Sequence, residues 1–325
     1  MSGFTIFFLT CIFCFSLHAQ GVDIDARKSA FIDRLVESGN YDRAYLDLMM
    51  DQIEIKQTIL DAISRPAERV LTWNDYRNIF VTEQRINEGL TFFNEHKALL
   101  KDVSDAYGVP IEIILSILGV ETYFGNRMGS YRVIDALGTL AFAYPPRANF
   151  FASELEQYLN LINNEGIDFN ETLGSYAGAM GAGQFIPSSY NAYAVDGDGD
   201  GVRDLWNSWP DIFASIANYF AKNGWNEGGI VAAKLDRDLS VWKDQEHSNT
   251  VNLNYTISDI RALGYITPVE YPENVSITLL VLDGLNGKEY WTGFKNFRAI
   301  TRYNISVLYG MAIYELSEIY RSQIY

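Results

Sequence analysis

Glu121 is the residue of this chain best placed for proton chemistry. It lies in Pro110 to Gly125, PIEIILSILGVETYFG, four residues after Ile117 and three after Leu118. On a helix that spacing projects its carboxylate from the same face as the aliphatic side chains. A helix is what the segment predicts, with Pro110 at the first helical position and Gly125 at the end bracketing about four turns. Burial on that face and the negative end of the helix dipole both oppose a carboxylate charge, which raises the pKa as a general acid working near neutrality requires. A structural role is open to the same residue, with the carboxylate meeting Arg127, Arg132 or solvent at the helix end.

A second segment offers neutral polar groups. Gly174 to Phe185, GSYAGAMGAGQF, holds four glycines and three alanines in twelve residues and runs into Pro187-Ser188-Ser189-Tyr190. So little side-chain bulk lets the backbone come close to a ligand or to another part of the chain. The Lys-Ser/Thr ending of a phosphate-binding loop is absent, as are the strand context and glycine spacing of a dinucleotide site. Ser175, Gln184 and exposed amides suit hydroxyl and acetamido groups; a tightly packed turn of small residues reads equally well from spacing.

Asp196, Asp198 and Asp200, followed by Gly201 and Val202, match the opening half of an EF-hand calcium loop: oxygen ligands at positions 1, 3 and 5, Gly at 6 and a backbone carbonyl at 7. Position 12 is Asn207 in place of the bidentate Glu, so Asp211 is the expected closing ligand, with Asp204 acting through water. A loop over 196–211 of this kind braces a fold more often than it signals. The bland alternative is a flexible acidic turn, although three Asp converging without a cation repel one another.

Composition removes the competing chemistries. The chain of 325 residues carries 41 acidic against 25 basic side chains, a net charge of −16, and so offers no general basic field for nucleic acid or anionic lipid. Three histidines and two cysteines leave almost nothing for a zinc site, a thiol nucleophile or a Ser-His-Asp triad, so catalysis must rest on carboxylates. Aromatic residues, at 14%, suit stacking on sugars.

The elements that would hold these groups in place are mainly helical. Phe4 to Leu17 is an uncharged apolar run, short for a membrane span and close to the core of a signal peptide ending at Ala19 (1–19); an uncleaved anchor is the alternative. Both cysteines, Cys11 and Cys14, fall inside it, and neither follows the small residue of a lipoprotein signal. The rest divides into a helical domain over 22–226, a small strand-rich domain over 227–300 and a segment over 301–325 that returns to the helices. Helical spacing is clear in Phe31, Leu35 and Val36, in Ala148 to Leu161 and in Ile212 to Lys222. Period-two runs lie at Ala232 to Leu235, Thr250 to Thr256 and Val275 to Val281. The fold class is mainly α (α+β).

The GVETYFG and GSYAGAMGAGQFIPSSY segments, with Ala214 to Phe220 (ASIANYF) and Ile300 to Asn304 (ITRYN), resemble the B-type lytic murein transglycosylases in an ordered set of motifs from about Tyr107 to Leu316. The resemblance implies a lysozyme-like helical catalytic domain with a small inserted β domain, acting on the glycan strands of peptidoglycan. It implies Glu121 as the single catalytic residue, Ser175 and Gln184 holding the sugar next to the cut bond, and Tyr219, Tyr303, Asn304 and Tyr309 lining the groove. The calcium loop, with Asp196, Asp198, Asp200, the Val202 carbonyl and Asp211, recurs in that family as a structural site, and no cofactor serves the chemistry. The lipoprotein signal of some members is missing here. An exported, periplasmic monomer that binds no nucleic acid is the resulting expectation. Two alternatives stand beside it: a lysozyme-type hydrolase with Glu154 or Glu156 as second acid, and a calcium-braced peptidoglycan-binding protein without turnover.

Overall fold

The computed structural model describes residues 23–64, 71–244 and 247–325, so the expected signal peptide over 1–19, with Cys11 and Cys14, lies outside the described residues. The chain opens with α1 (Ile24–Glu37), α2 (Arg43–Asp51), α3 (Gln57–Ile63), α4 (Trp73–Phe80) and the long α5 (Glu83–Tyr107). Gly108 ends α5 in the left-handed conformation, and Pro110 sets the extended start of α6 (Ile111–Thr122), so the two axes meet at 113°. Every side chain of α6 from Ile111 to Gly119 is buried, the pattern of a helix enclosed by others on all sides.

The two-residue strands β1 (Tyr131–Arg132) and β2 (Leu173–Gly174) pair antiparallel around α7 (Val133–Ala143) and α8 (Ala148–Glu165). Then come α9 (Pro187–Tyr193) and α10 (Trp209–Lys222). Apart from α4, whose Trp73 and Tyr76 belong to a separate cluster, one continuous apolar core joins these helices, from Phe31 and Leu46 through Ile114 and Leu140 to Phe213 and Tyr320.

The strand-rich part holds β3 (Ala232–Lys234), β4 (Asp236–Arg237), β5 (Tyr255–Thr256), α11 (Ile257–Ala262), β6 (Tyr265–Ile266), β7 (Ser276–Gly284) and β8 (Gly287–Gly293). Its main sheet is antiparallel in the order β3-β8-β7-β5, closed by the β7–β8 hairpin whose register runs from Thr278 opposite Gly293 to Gly284 opposite Gly287. It keeps its own apolar core around Leu235, Ile257, Ile277 and Tyr290. Of the expected strand Thr250 to Thr256 only Tyr255 and Thr256 pair as backbone. The residues before them follow β7 through side chains: Asn249 donates from Nδ2 to the Val281 carbonyl at 2.7 Å and accepts the Val281 amide at 2.8 Å.

Helical structure returns with α12 (Lys295–Tyr303), earlier than the expected boundary at 301, and continues in α13 (Val307–Ile324). Ile300 turns into the helical core and Phe297 into a further apolar cluster with Trp73, Leu280, Trp291 and Met311, while Lys295 and Arg302 stay outside, so the helix joins two cores. Helix α13 packs along α6, which brings the two ends of the chain's site together. Among the described residues no single helix is long and apolar enough to cross a membrane.

Candidate active site

Helix α6 stops at Thr122, three residues before the Gly125 that the sequence marks. Tyr123 and Phe124 both take left-handed backbone, at φ 55° and 58°, and Gly125 follows at 84°. The amides of Tyr123 and Phe124 both reach back to the Leu118 carbonyl, the latter at 3.0 Å, which satisfies a carbonyl left open at the helix end. Left-handed conformations cost a bulky residue free energy, and the surroundings hold them: Phe124 is packed 5.3 Å from the Phe92 ring, and Tyr123 lies between the guanidiniums of Arg85 and Arg127 at 5.1 and 4.8 Å. The effect is to fix Glu121 in the last turn of a rigid helix with the chain turning sharply away behind it.

Thr122 links that turn to the glycine-rich segment. Its hydroxyl donates to the Ala182 carbonyl at 2.8 Å and accepts the Gly125 amide at 3.0 Å, and the residue is fully buried. A Thr122→Val substitution keeps the shape but leaves both backbone groups unpaired, so the unfolding free energy should fall by about 1–3 kcal/mol, measurable as a lower urea midpoint. An unchanged midpoint would break the link between the two segments.

The small residues of Gly174 to Phe185 serve close backbone packing. A side chain at Gly181, where φ is +67°, would sit 2.3 Å from the Leu205 carbonyl oxygen. Met180 forms isolated antiparallel bridges to Gly174 and to Phe185, so the segment folds into a pinched loop. Ser175 accepts the amides of Ala177 and Ala179 at its hydroxyl oxygen, at 3.3 and 3.0 Å, and its O–H has no acceptor among the described residues. Gln184 adopts φ 52° and donates from Nε2 to the carbonyls of Met128 and Gly181 at 3.1 and 3.0 Å.

The C-terminal helices supply the aromatic wall. Tyr309, only 2% exposed at the start of α13, donates its hydroxyl to Glu121 Oε1 at 2.7 Å. Tyr303, at the end of α12, donates to the Gly183 carbonyl at 2.5 Å. Burial pushes the phenols of both Tyr303 and Tyr309 well above their ordinary range, and the Glu121 charge pushes them further in the same direction. Both therefore remain neutral donors beside Glu121 at any working pH. Tyr219 lies 4.8 Å ring to ring from Tyr303 but donates its hydroxyl to the Arg302 carbonyl at 2.7 Å, and burial lifts its pKa to about 12. Asn304 is exposed in extended backbone just past α12. Glu121, Tyr303, Tyr309 and the 182–184 backbone thus meet, while Tyr219 stands behind Tyr303 as its support.

Both alternative acids are engaged by other groups. Glu154 is 4% exposed and accepts the Ser188 amide at 2.9 Å and hydroxyl at 2.8 Å, holding the start of α9. Glu156 pairs with Arg34 at 2.7 Å. Sequence reasoning named Gln184 for its side chain but did not single out Thr122, nor the left-handed backbone of Tyr123, Phe124 and Gln184, because no residue type at those positions advertises it.

In the acidic loop, the carboxylates of Asp196, Asp198 and Asp211 each bring an oxygen within 4.8 Å of the others. Asp200 is not in that group; it accepts the Val202 amide at 2.8 Å. Asp204 accepts the amides of Trp206 and Asn207 at 2.8 and 3.0 Å. Asp211, 1% exposed at the N-terminus of α10, accepts the amides of Gly197 and Asp204, both at 2.7 Å. Hard oxygen donors of this kind fit a calcium ion and not a soft metal.

A carboxyl at a helix end, facing neutral amides and phenols within a helical core, is a setting that suits proton transfer. Residues 23–318 match the transglycosylase SLT domain. The chain is 38% identical over 297 residues to membrane-bound lytic murein transglycosylase B of Escherichia coli K12, covering 89% of this chain and 81% of that protein. It is similar in structure to soluble lytic transglycosylase SltB1 of Pseudomonas aeruginosa, with TM-score 0.83, 42% identity and coverage of 92% of this chain and 100% of the other. A further match is Escherichia coli Slt35 in complex with calcium, with TM-score 0.82, 37% identity and coverage of 94% and 96%. The chain belongs to the SLT transglycosylase family: it has the lysozyme-like fold of these enzymes and is a lytic transglycosylase of peptidoglycan.

Proposed function

We propose that Glu121 is the single general acid and base of the reaction, and that the bond cut is the β-1,4 link between N-acetylmuramic acid and N-acetylglucosamine. The protonated carboxyl gives its proton to the glycosidic oxygen, and the muramic ring passes through an oxocarbenium-like state. The resulting carboxylate takes the proton of the same sugar's C6 hydroxyl as that oxygen bonds to C1. The product is a 1,6-anhydro sugar; no water is consumed and the acid is regenerated. The observation that carries this reading is the Tyr309 hydroxyl on Glu121 Oε1 at 2.7 Å, which orients the carboxyl and stabilises its charge once the proton has left. That Glu154 and Glu156 are spent elsewhere supports a one-carboxyl route over hydrolysis by an acid pair.

Around the cut bond, the Ser175 hydroxyl and Gln184 would hold the neighbouring sugar, with Tyr303 and Asn304 along the groove and Tyr219 behind. One calcium ion would be held by Asp196, Asp198 and Asp211, with Asp200 and the Val202 carbonyl in reach of the same loop. Its contribution is to neutralise the converged carboxylates and fix the turn leading into α10. A chain that works on the cell wall must be exported, so the 1–19 segment is read as a signal peptide and the mature protein as a periplasmic monomer. The helical body, the strand-rich part and the returning C-terminal helices are read as the functional units, with α12 and α13 returning the groove-lining Tyr303 and Tyr309 to the helical body.

Mass analysis of muropeptides released from purified sacculi tests the reaction. Muramic ends one water lighter than hydrolytic ends are expected; reducing ends in their place would reject the intramolecular route.

A further inference from the structure

Three guanidinium groups gather around one cavity in a chain whose net charge is −16. The cavity, of about 590 Å³, opens between α1, the 3₁₀ turn Pro145–Arg147 and the first turn of α8, and Arg27, Arg34 and Arg147 line it. Among the described residues no Asp or Glu lines it, and Phe31, Phe142 and Pro145 give it apolar walls.

The three arginines are not equivalent. Arg34 donates to Glu156 at 2.7 Å and is neutralised as a pair. Arg147 is exposed and lies 4.4 Å over the Phe150 ring, with no ion pair among the described residues. Arg27 Nη1 is buried and has no hydrogen-bond partner among the described residues. A guanidinium N–H taken out of water without an acceptor costs part of the desolvation of a charged group, which leaves Arg27 in want of a counter-charge. Helix α8 also begins at this mouth without a side-chain cap, so the positive end of its dipole adds to the field. An oxyanion in the cavity pairs with the part of the Arg27 side chain that lines it and offsets the unpaired Arg147 charge.

We infer that the cavity binds a carboxylate of a short acidic peptide, with Arg27 and Arg147 on the anion and the apolar walls on its aliphatic part. Phosphate would meet the same planar donors, but the walls favour an anion carried on an aliphatic body over a bare ion. An anionic membrane surface is disfavoured, because 41 acidic residues against 25 basic ones oppose approach to it. Peptidoglycan strands bear short peptides with free carboxylates, so the inference rests on peptidoglycan as substrate. It adds a contact to the peptide part, made by residues that take no part in the site of Glu121.

The test is calorimetric titration of the full chain with a synthetic tetrapeptide bearing two free carboxylates, with its fully amidated form, with inorganic phosphate and with vesicles of phosphatidylglycerol and phosphatidylethanolamine. The acidic peptide should bind and the amidated one should not. Arg27→Gln and Arg147→Gln should each weaken binding by about 10-fold or more, the scale of a lost charge-assisted hydrogen bond, and Arg34→Gln should do less. Arg147 is exposed, so its variant should melt as the wild type does and its binding result stands even if Arg27→Gln does not fold. Glu121→Gln should bind the peptide normally, which separates this inference from the fate of the catalytic reading. Equal binding of the amidated peptide, binding of phosphate or vesicles alone, unchanged affinity in Arg147→Gln, or no binding of any probe would each overturn it.

Discussion

Glu121→Gln is expected to lose turnover by at least about 1,000-fold while keeping the wild-type melting temperature and the capacity to bind sacculi. General acid–base assistance is worth about 100- to 10,000-fold, and here one group serves both bond cleavage and ring closure, so the loss belongs in the upper part of that range or above it. Gln is close to isosteric, and its amide oxygen can still accept the Tyr309 hydroxyl that Glu121 Oε1 accepts at 2.7 Å. The turn behind it, held by Thr122, Tyr123 and Phe124, makes no use of the Glu121 proton. A helix-end carboxylate with a purely structural role would behave differently, with a stability change of roughly 1 kcal/mol and activity still easily measured. Turnover, thermal melting and sacculus binding measured side by side decide the matter. A variant that melts and binds normally yet releases muropeptides at more than a few per cent of the wild-type rate would remove Glu121 from the mechanism.

Removal of calcium should produce the largest change in stability. An ion bound only to the folded chain and present at a hundredfold excess over its dissociation constant adds about 2.7 kcal/mol. At roughly 2.1 cal/mol/K of unfolding entropy per residue each kcal/mol moves the midpoint of a chain this long by about 1.5–2 °C, so excess chelator should lower melting by roughly 4–5 °C. The expected responder is the turn held by Asp211, which keeps two backbone amides at 2.7 Å and lies against Asp196 and Asp198. Asp211→Asn loses one acceptor oxygen and the charge, so it should melt lower than wild type and no longer respond to chelator. A wild-type midpoint indifferent to both chelator and added calcium would sink the assignment.

The helical frame was legible because its signals are local. Apolar spacing marks α8 and α10, Pro110 marks the start of α6, and the alternation in Val275 to Val281 marks β7. The early start of α12 and the shortness of β5 were not legible. The first depends on which core receives Phe297 and Ile300, and the second on Asn249 taking the place of backbone along β7. At the site, residue type and helical position brought Glu121 forward as a candidate and the resemblance supplied its role, while EF-hand spacing brought forward Asp196, Asp198 and Asp200, of which Asp200 stands outside the carboxylate group.

By itself the sequence determined which groups could do chemistry: one carboxyl at the end of an apolar helix, a loop nearly free of side chains, an acidic loop with calcium spacing, and almost no histidine or thiol. Those are matters of residue type and short-range spacing, which a linear chain carries in full. Only the tertiary structure decided partnership. It brought Tyr309 from 188 residues away onto Glu121, tied Tyr303 to Gly183, occupied Glu154 with Ser188, and left Asp200 outside the carboxylate group that Asp211 joins. Hydrogen bonds act over about 3 Å and ask nothing about sequence separation, so the packing of α13 along α6 had to exist before the acid had its partner.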